Sequence, residues 1–192
     1  AVYSMSATTT AYGMARGISQ TGYIGYDLSV GDITLSFDTS KTTGGTNRSA
    51  SVSFTGIDGL QVVAGAAETL TAQANAGIDQ ETVGVKYTMG SITVAAQANE
   101  VDDASTSNDD EDATHIGVSF ALSDQVSVSY AQLETDFGKS TKTADETVSG
   151  VGVSYTAGSM SIKAYAGKTE NNAGSATAVD LEEKGVTLSF SF

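Results

Sequence analysis

Gly185-Val-Thr-Leu-Ser-Phe-Ser-Phe192 is the stretch whose reading decides the fold. Val186, Leu188, Phe190 and Phe192 fall on one face of an extended segment, and Thr187, Ser189 and Ser191 fall on the other. This is strict period-2 alternation, the periodicity of a strand with one apolar and one polar face. Soluble chains rarely place their most apolar residues at a terminus, because termini fray into water. A strand that meets hydrocarbon on one side and a watery lumen on the other needs this pattern.

Working outward, the same unit recurs from Gly22. Ile24, Tyr26, Leu28 and Val30 alternate with small or polar residues, Gly31-Asp32 makes a tight turn, and Ile33, Leu35 and Phe37 return. Val52 and Phe54 turn at Asp58-Gly59 and come back through Leu60, Val62 and Ala64. Val83, Val85, Tyr87 and Met89 turn at Gly90-Ser91. Ile116, Val118 and Phe120 turn at Ser123-Asp124, and Val151, Val153 and Tyr155 turn at Gly158-Ser159. Between these hairpins lie polar stretches: Thr39 to Ser49, Glu68 to Gln80, Glu100 to Ala113, Asp136 to Glu146 and Glu170 to Asp180. About eleven strands follow Gly22. Residues 1–21 read as one short strand near Val2-Tyr3 and then a loop with turns at Gly13 and Gly17.

Composition narrows the field. The chain has 192 residues, 40% of them hydrophobic, but no apolar run approaches the roughly 20 residues of a membrane helix. Only a barrel could carry it through a bilayer. Proline is absent, as suits a chain of paired strands, and the lack of cysteine excludes disulfides and thiolate metal sites. A net charge of −14 argues against nucleic-acid binding. The chain starts Ala1-Val2-Tyr3, which reads as either a processed protein or the later part of a longer one.

Short turns on one side and long polar stretches on the other describe an antiparallel transmembrane β-barrel with short periplasmic turns and long external loops. A soluble β-sandwich would also show short strands, but it needs larger apolar residues on its buried faces and mixes its connections. Closed bacterial barrels have even strand numbers, so an upward strand must precede Gly22. Either residues 1–7 supply it, giving a complete barrel of about twelve strands, or it lies in an amino-terminal part beyond this sequence.

The run Gly22-Tyr-Ile-Gly-Tyr-Asp-Leu-Ser-Val-Gly-Asp-Ile-Thr-Leu-Ser-Phe37, the Gly152-Val-Ser-Tyr155 strand with its glycine turn, and Val179 to Phe192 resemble the carboxy-terminal portion of the general porins of Rhodobacter-type alphaproteobacteria. The resemblance implies a share of a sixteen-stranded outer-membrane barrel. It also implies a homotrimer, passive diffusion of small hydrophilic solutes, and contact with outer-membrane lipid and lipopolysaccharide. The whole of 1–192 would be one barrel domain, with residues 1–21 where such porins fold a constriction loop into the lumen. The alternative is the small complete barrel with a structural, adhesive or enzymatic role. A soluble acidic β protein is the third class.

No catalytic constellation is present: no serine sits in a Gly-x-Ser-x-Gly elbow, and the single His115 has no second histidine or any cysteine beside it. Strand parity turns Asp27, Asp38, Gln61, Lys86, Gln97 and Lys163 inward, and Arg16 joins them as the strongly basic residue of the first segment. A charge facing a packed core would cost several kcal/mol, whereas in a watery channel it shapes the field at little cost. Asp102, Asp103, Asp109, Asp110 and Asp112 form an acidic stretch suited to Ca²⁺, though without EF-hand spacing; a solvated charge run is the plainer reading. No other cofactor is implied.

Overall fold

The computed structural model describes residues 22–42, 45–71, 77–103, 110–138 and 141–191. These form eleven strands: β1 Gly22–Val30, β2 Ile33–Thr42, β3 Gly45–Ile57, β4 Leu60–Thr71, β5 Gly77–Met89, β6 Ile92–Asp103, β7 Glu111–Ala121, β8 Val126–Phe137, β9 Glu146–Ala157, β10 Met160–Glu170 and β11 Leu181–Phe190. They make one antiparallel sheet in which every strand pairs only with its neighbours in sequence, from β1 to β11. One 3-10 turn, Asn172–Gly174, interrupts the pattern between β10 and β11.

Strands of 9 to 13 residues are long for a soluble protein. At about 3.3–3.4 Å per residue they reach roughly 30–44 Å, enough to cross a bilayer at a tilt. The turns at one rim depend on glycine in the left-handed region: Gly31, Gly59, Gly90 and Gly158 have φ of 59°, 74°, 59° and 58°. The turns at 31–32, 90–91 and 158–159, with glycine first, twist in the same sense as the strands they join. At 58–59 the glycine comes second, and the β3–β4 register shifts between Phe54 and Ile57. The turn from β7 to β8 is built differently, with the Ser123 hydroxyl accepting from the backbone N–H of Val126 at 3.1 Å.

At the other rim the strands run further than hydrophobic alternation indicates. Most of the 39–49 stretch read as loop is strand, since β2 continues to Thr42 and β3 starts at Gly45. Likewise β4 reaches Thr71, β5 starts at Gly77, β6 reaches Asp103 and β7 starts at Glu111. Ladder hydrogen bonds belong to the backbone, so pairing persists where side chains turn polar on leaving the apolar band. The connections at this rim lengthen along the chain, from 43–44 through 72–76, 104–110 and 138–145 to 171–180. The terminal strand ends at Phe190; the Ser191 N–H still donates to the Ser159 carbonyl at 2.8 Å, and Phe192 lies outside the described residues.

The two faces are inverted relative to a soluble sheet. Among the described residues no hydrophobic side chain is buried, and Ile24 and Val186 are 72% and 74% exposed. The buried polar side chains, Ser40 at 3% and Thr135 at 8%, lie on the other face. A flat sheet would expose both faces alike. Here the small polar side chains are the sheltered ones, so the sheet curls toward its polar face and presents the apolar one outward. Apolar groups left outside are favourable only if something other than water covers them.

Val118 and Ser119, adjacent on β7, separate the two media. Val118 sits outward between Val94 and Tyr130, and Ser119 inward between Thr93 and Ser129. Val118→Arg should destabilise the protein folded in lipid vesicles by about 2–4 kcal/mol. Ser119→Arg should change it by less than about 1 kcal/mol. Urea unfolding in vesicles reads both; equal costs would refute the assignment of faces.

Candidate pore wall

The polar face is built by register. Lys86 stands between Gln61 and Ala95 across β4, β5 and β6. Gln97 stands between Gly84 and His115. Lys163 stands between Ser154 and Thr187. Asp27 pairs Ser36, and Asp38 pairs Gly25 and Ser49. All six inward positions expected from parity within the described residues share this face. Arg16 lies outside the described residues, as does the proposed constriction segment 1–21.

Same-face hydrogen bonds fix much of the wall. Gln97 donates from Nε2 to Thr82 Oγ1 at 3.2 Å and to Asn99 Oδ1 at 2.7 Å, and Thr82 donates to Asn99 Oδ1 at 2.7 Å. Ser49 donates to the Asp38 carboxylate. Hydroxyl pairs Ser29–Thr34, Thr88–Thr93 and Ser127–Ser154 bridge strands at 3.1, 3.0 and 2.7 Å. Cross-strand pairs of this kind contribute up to about 1 kcal/mol each.

Four further carboxylates face inward: Asp103, Glu111, Glu146 and Glu183. Glu146 pairs the buried Thr135, and Glu183 accepts the Tyr165 hydroxyl at 2.6 Å. Tyr165 lies across Gly185, where a Cβ would come within 2.5 Å of the ring. Parity alone would have found these acids. Asp103, Glu111 and Glu146 sit in stretches that lack apolar alternation and so read as loop, and Glu183 lies between the last of those stretches and the alternation that begins at Gly185. The same inner face also carries Leu133, Val148 and Leu181 toward the long-connection rim, larger and more apolar than the Gly, Ser, Thr, Ala and Gln expected there. His115 is half-buried on this face, between Gln97 and Leu133.

The acidic stretch is divided rather than gathered. Asp102 faces outward opposite Asp79, and Asp112 faces outward opposite Glu100 and Asp136. Asp103 faces inward, and Asp110 accepts its backbone N–H at 2.9 Å. Asp109 lies outside the described residues. Among the described residues no three carboxylate or imidazole groups are placed to hold a metal ion. The outward acids, with Glu81 beside Glu100, mark where hydrocarbon must end on β5 to β7, since bare carboxylates do not remain in it.

Cysteine is absent from the chain, so single cysteines can map the wall. Lys86→Cys, Gln97→Cys and Lys163→Cys should react with a membrane-impermeant thiol reagent in vesicles at least roughly tenfold faster than Val85→Cys or Val118→Cys. Comparable rates at both sets would show that the polar face is not wet.

The Gram-negative porin family profile matches residues 1–140. Among solved structures, the anion-selective porin from Comamonas acidovorans superposes with a TM-score of 0.67 at 13% identity, covering 86% of this chain and 57% of that one. A porin refined at 1.8 Å superposes at 0.68 with 15% identity, covering 84% and 59%. The trimer form of in-vitro folded OmpT from Vibrio cholerae superposes at 0.63 with 16% identity, covering 88% and 64%. At these identities the likeness is one of fold, a porin-type β-barrel. The chain spans less than two thirds of the length of each of these three proteins. The profile is that of the family as a whole, broader than the Rhodobacter-type subset. No curated protein matches the sequence.

Proposed function

The chain belongs to the Gram-negative porin family of the bacterial outer membrane, and we propose that it forms most of the wall of a passive diffusion channel for small hydrophilic solutes and ions. The inverted sheet carries this reading. Apolar side chains are exposed on the outer face, and serine, threonine, asparagine and glutamine line the sheltered one. A wall of this kind replaces part of a solute's hydration shell with hydroxyls and amides while offering no energy source and no covalent step. The channel would act by letting polar molecules run down their gradients, with Lys86, Lys163, Asp27 and Asp38 setting ionic preference. The anion selectivity named for the Comamonas acidovorans protein does not transfer at 13% identity.

Among the described residues no pairing joins β1 to β11. Open edges are not tolerated in hydrocarbon, because each unpaired N–H and C=O costs several kcal/mol there. The proposed channel is therefore closed by chain outside β1–β11. A homotrimer is part of the proposal and draws on family membership. Oligomers resistant to detergent and dissociated by heating would support it; a monomer under mild extraction would remove it.

Complete protein reconstituted in planar bilayers should give stepwise, steady conductance. Vesicles carrying it should swell in small sugars and not in a polymer too wide for the pore. Silent bilayers together with unswollen vesicles would reject the channel and leave a structural or adhesive barrel.

A further inference from the structure

Charge on the inner wall is sorted by height. Asp103 ends β6, Glu111 begins β7, Glu146 begins β9, and Glu183 lies in the first turnward residues of β11, all toward the long-connection rim. Asp110, whose carboxylate accepts the Asp103 N–H, adds negative charge at the same mouth. Among the described strand residues the inward lysines, Lys86 near the close of β5 and Lys163 near the start of β10, lie at the opposite end by the short turns. Lys142, 4.9 Å over the ring of the inward-facing Phe137, offsets one of the acids at the long-connection mouth. Asp27 shares that end, and Asp38 sits partway up β2.

We infer that the channel prefers cations and conducts unequally in its two directions, because its wall is acidic at the long-loop mouth and lysine-bearing at the short-turn mouth. This rests on the channel proposed above. Distance decides whether the two zones act separately or cancel. Ala95 is the partner of Lys86, and Asp103 ends the same strand, which places about 27 Å of extended chain between the charges. Thr187 is the partner of Lys163, and Glu183 lies about 14 Å further up β11. Both spans exceed the Debye length of about 10 Å at 0.1 M salt, so each mouth keeps its own counter-ion cloud.

Two consequences follow from elementary electrostatics. Among the described residues inward carboxylates outnumber inward lysines, so this part of the wall concentrates cations. The zones also behave as junctioned charge layers. A field that drives cations in through the acidic mouth, and anions in through the lysine mouth, fills the channel with carriers. The reverse field draws carriers out from the middle. Current is therefore larger when cations move from the long-loop mouth to the short-turn mouth. At 1 M salt the Debye length falls to about 3 Å, and both effects fade.

The test uses complete protein added from one side of a planar bilayer. In a tenfold KCl gradient the reversal potential should report a K⁺ over Cl⁻ permeability ratio of roughly threefold or more. At about 0.1 M KCl the current–voltage curve should be asymmetric, and at about 1 M it should be nearly symmetric. Asp103→Asn, Glu111→Gln, Glu146→Gln and Glu183→Gln combined should bring the ratio to about one and abolish the asymmetry. The amides at 146 and 183 keep an acceptor oxygen for Ala173 N–H and the Tyr165 hydroxyl. Lys86→Gln with Lys163→Gln should raise the ratio and weaken the asymmetry, part of which the acidic mouth alone sustains. Steady conductance with anion preference, or with a symmetric curve at low salt in the unmodified protein, overturns this inference and leaves the channel standing. A silent membrane overturns the channel and the inference together.

Discussion

In hydrocarbon no water is available to satisfy a backbone amide, so each N–H and C=O must find its partner in the chain itself. The strand architecture of this protein follows from that constraint. It forces neighbouring strands into one sheet, β1 through β11, with each joined to the next in sequence and one register shift between β3 and β4. It removes proline from the chain and confines left-handed backbone at the short-turn rim to Gly31, Gly59, Gly90 and Gly158. It also explains why pairing continues through the polar Thr39 to Ser49 stretch, where side-chain alternation gives no signal.

Once the ladder exists, the pleat assigns one face to each medium. The outer face carries Tyr26, Phe54, Val85, Phe120 and Phe190, which are distributed along the sheet and do not form a dry interior. Stability therefore does not come from a packed core. It comes from the ladder and from hydroxyl and amide pairs across the inner wall such as Thr82–Asn99 and Ser127–Ser154. In the proposed channel the inner wall tolerates charge because it faces water. Lys86 and Lys163 would be ruinous in a packed interior and cost little here.

At the external rim a different kind of order appears. The 138–145 and 171–180 connections are fastened to each other: Thr143 N–H donates to the Gly174 carbonyl at 2.9 Å, and Ala173 N–H to Glu146 at 2.6 Å. Lys142 reaches the Ala173 carbonyl and lies 4.9 Å from the Phe137 ring centroid. Gly174 is required where they meet, with φ of 74° and no room for a Cβ beside Phe137. Polar loops with no periodicity thus acquire structure from contact with a neighbouring loop.

The sequence by itself determined the strand class, the facing of each regular strand and the inward placement of Lys86, Gln97 and Lys163, because a period of two is a local property of side chains. It did not determine where strands stop. Asp103, Glu111 and Glu146 were invisible as wall residues because polar strand and polar loop share a composition, and only pairing with a neighbour tells them apart. Nor could the sequence show that the acidic stretch splits between two faces, since Asp102 and Asp103 differ by one position along a strand whose extent was unknown. Tertiary structure decided these points because register is a relation between strands, and hydrogen bonds between distant segments fix it.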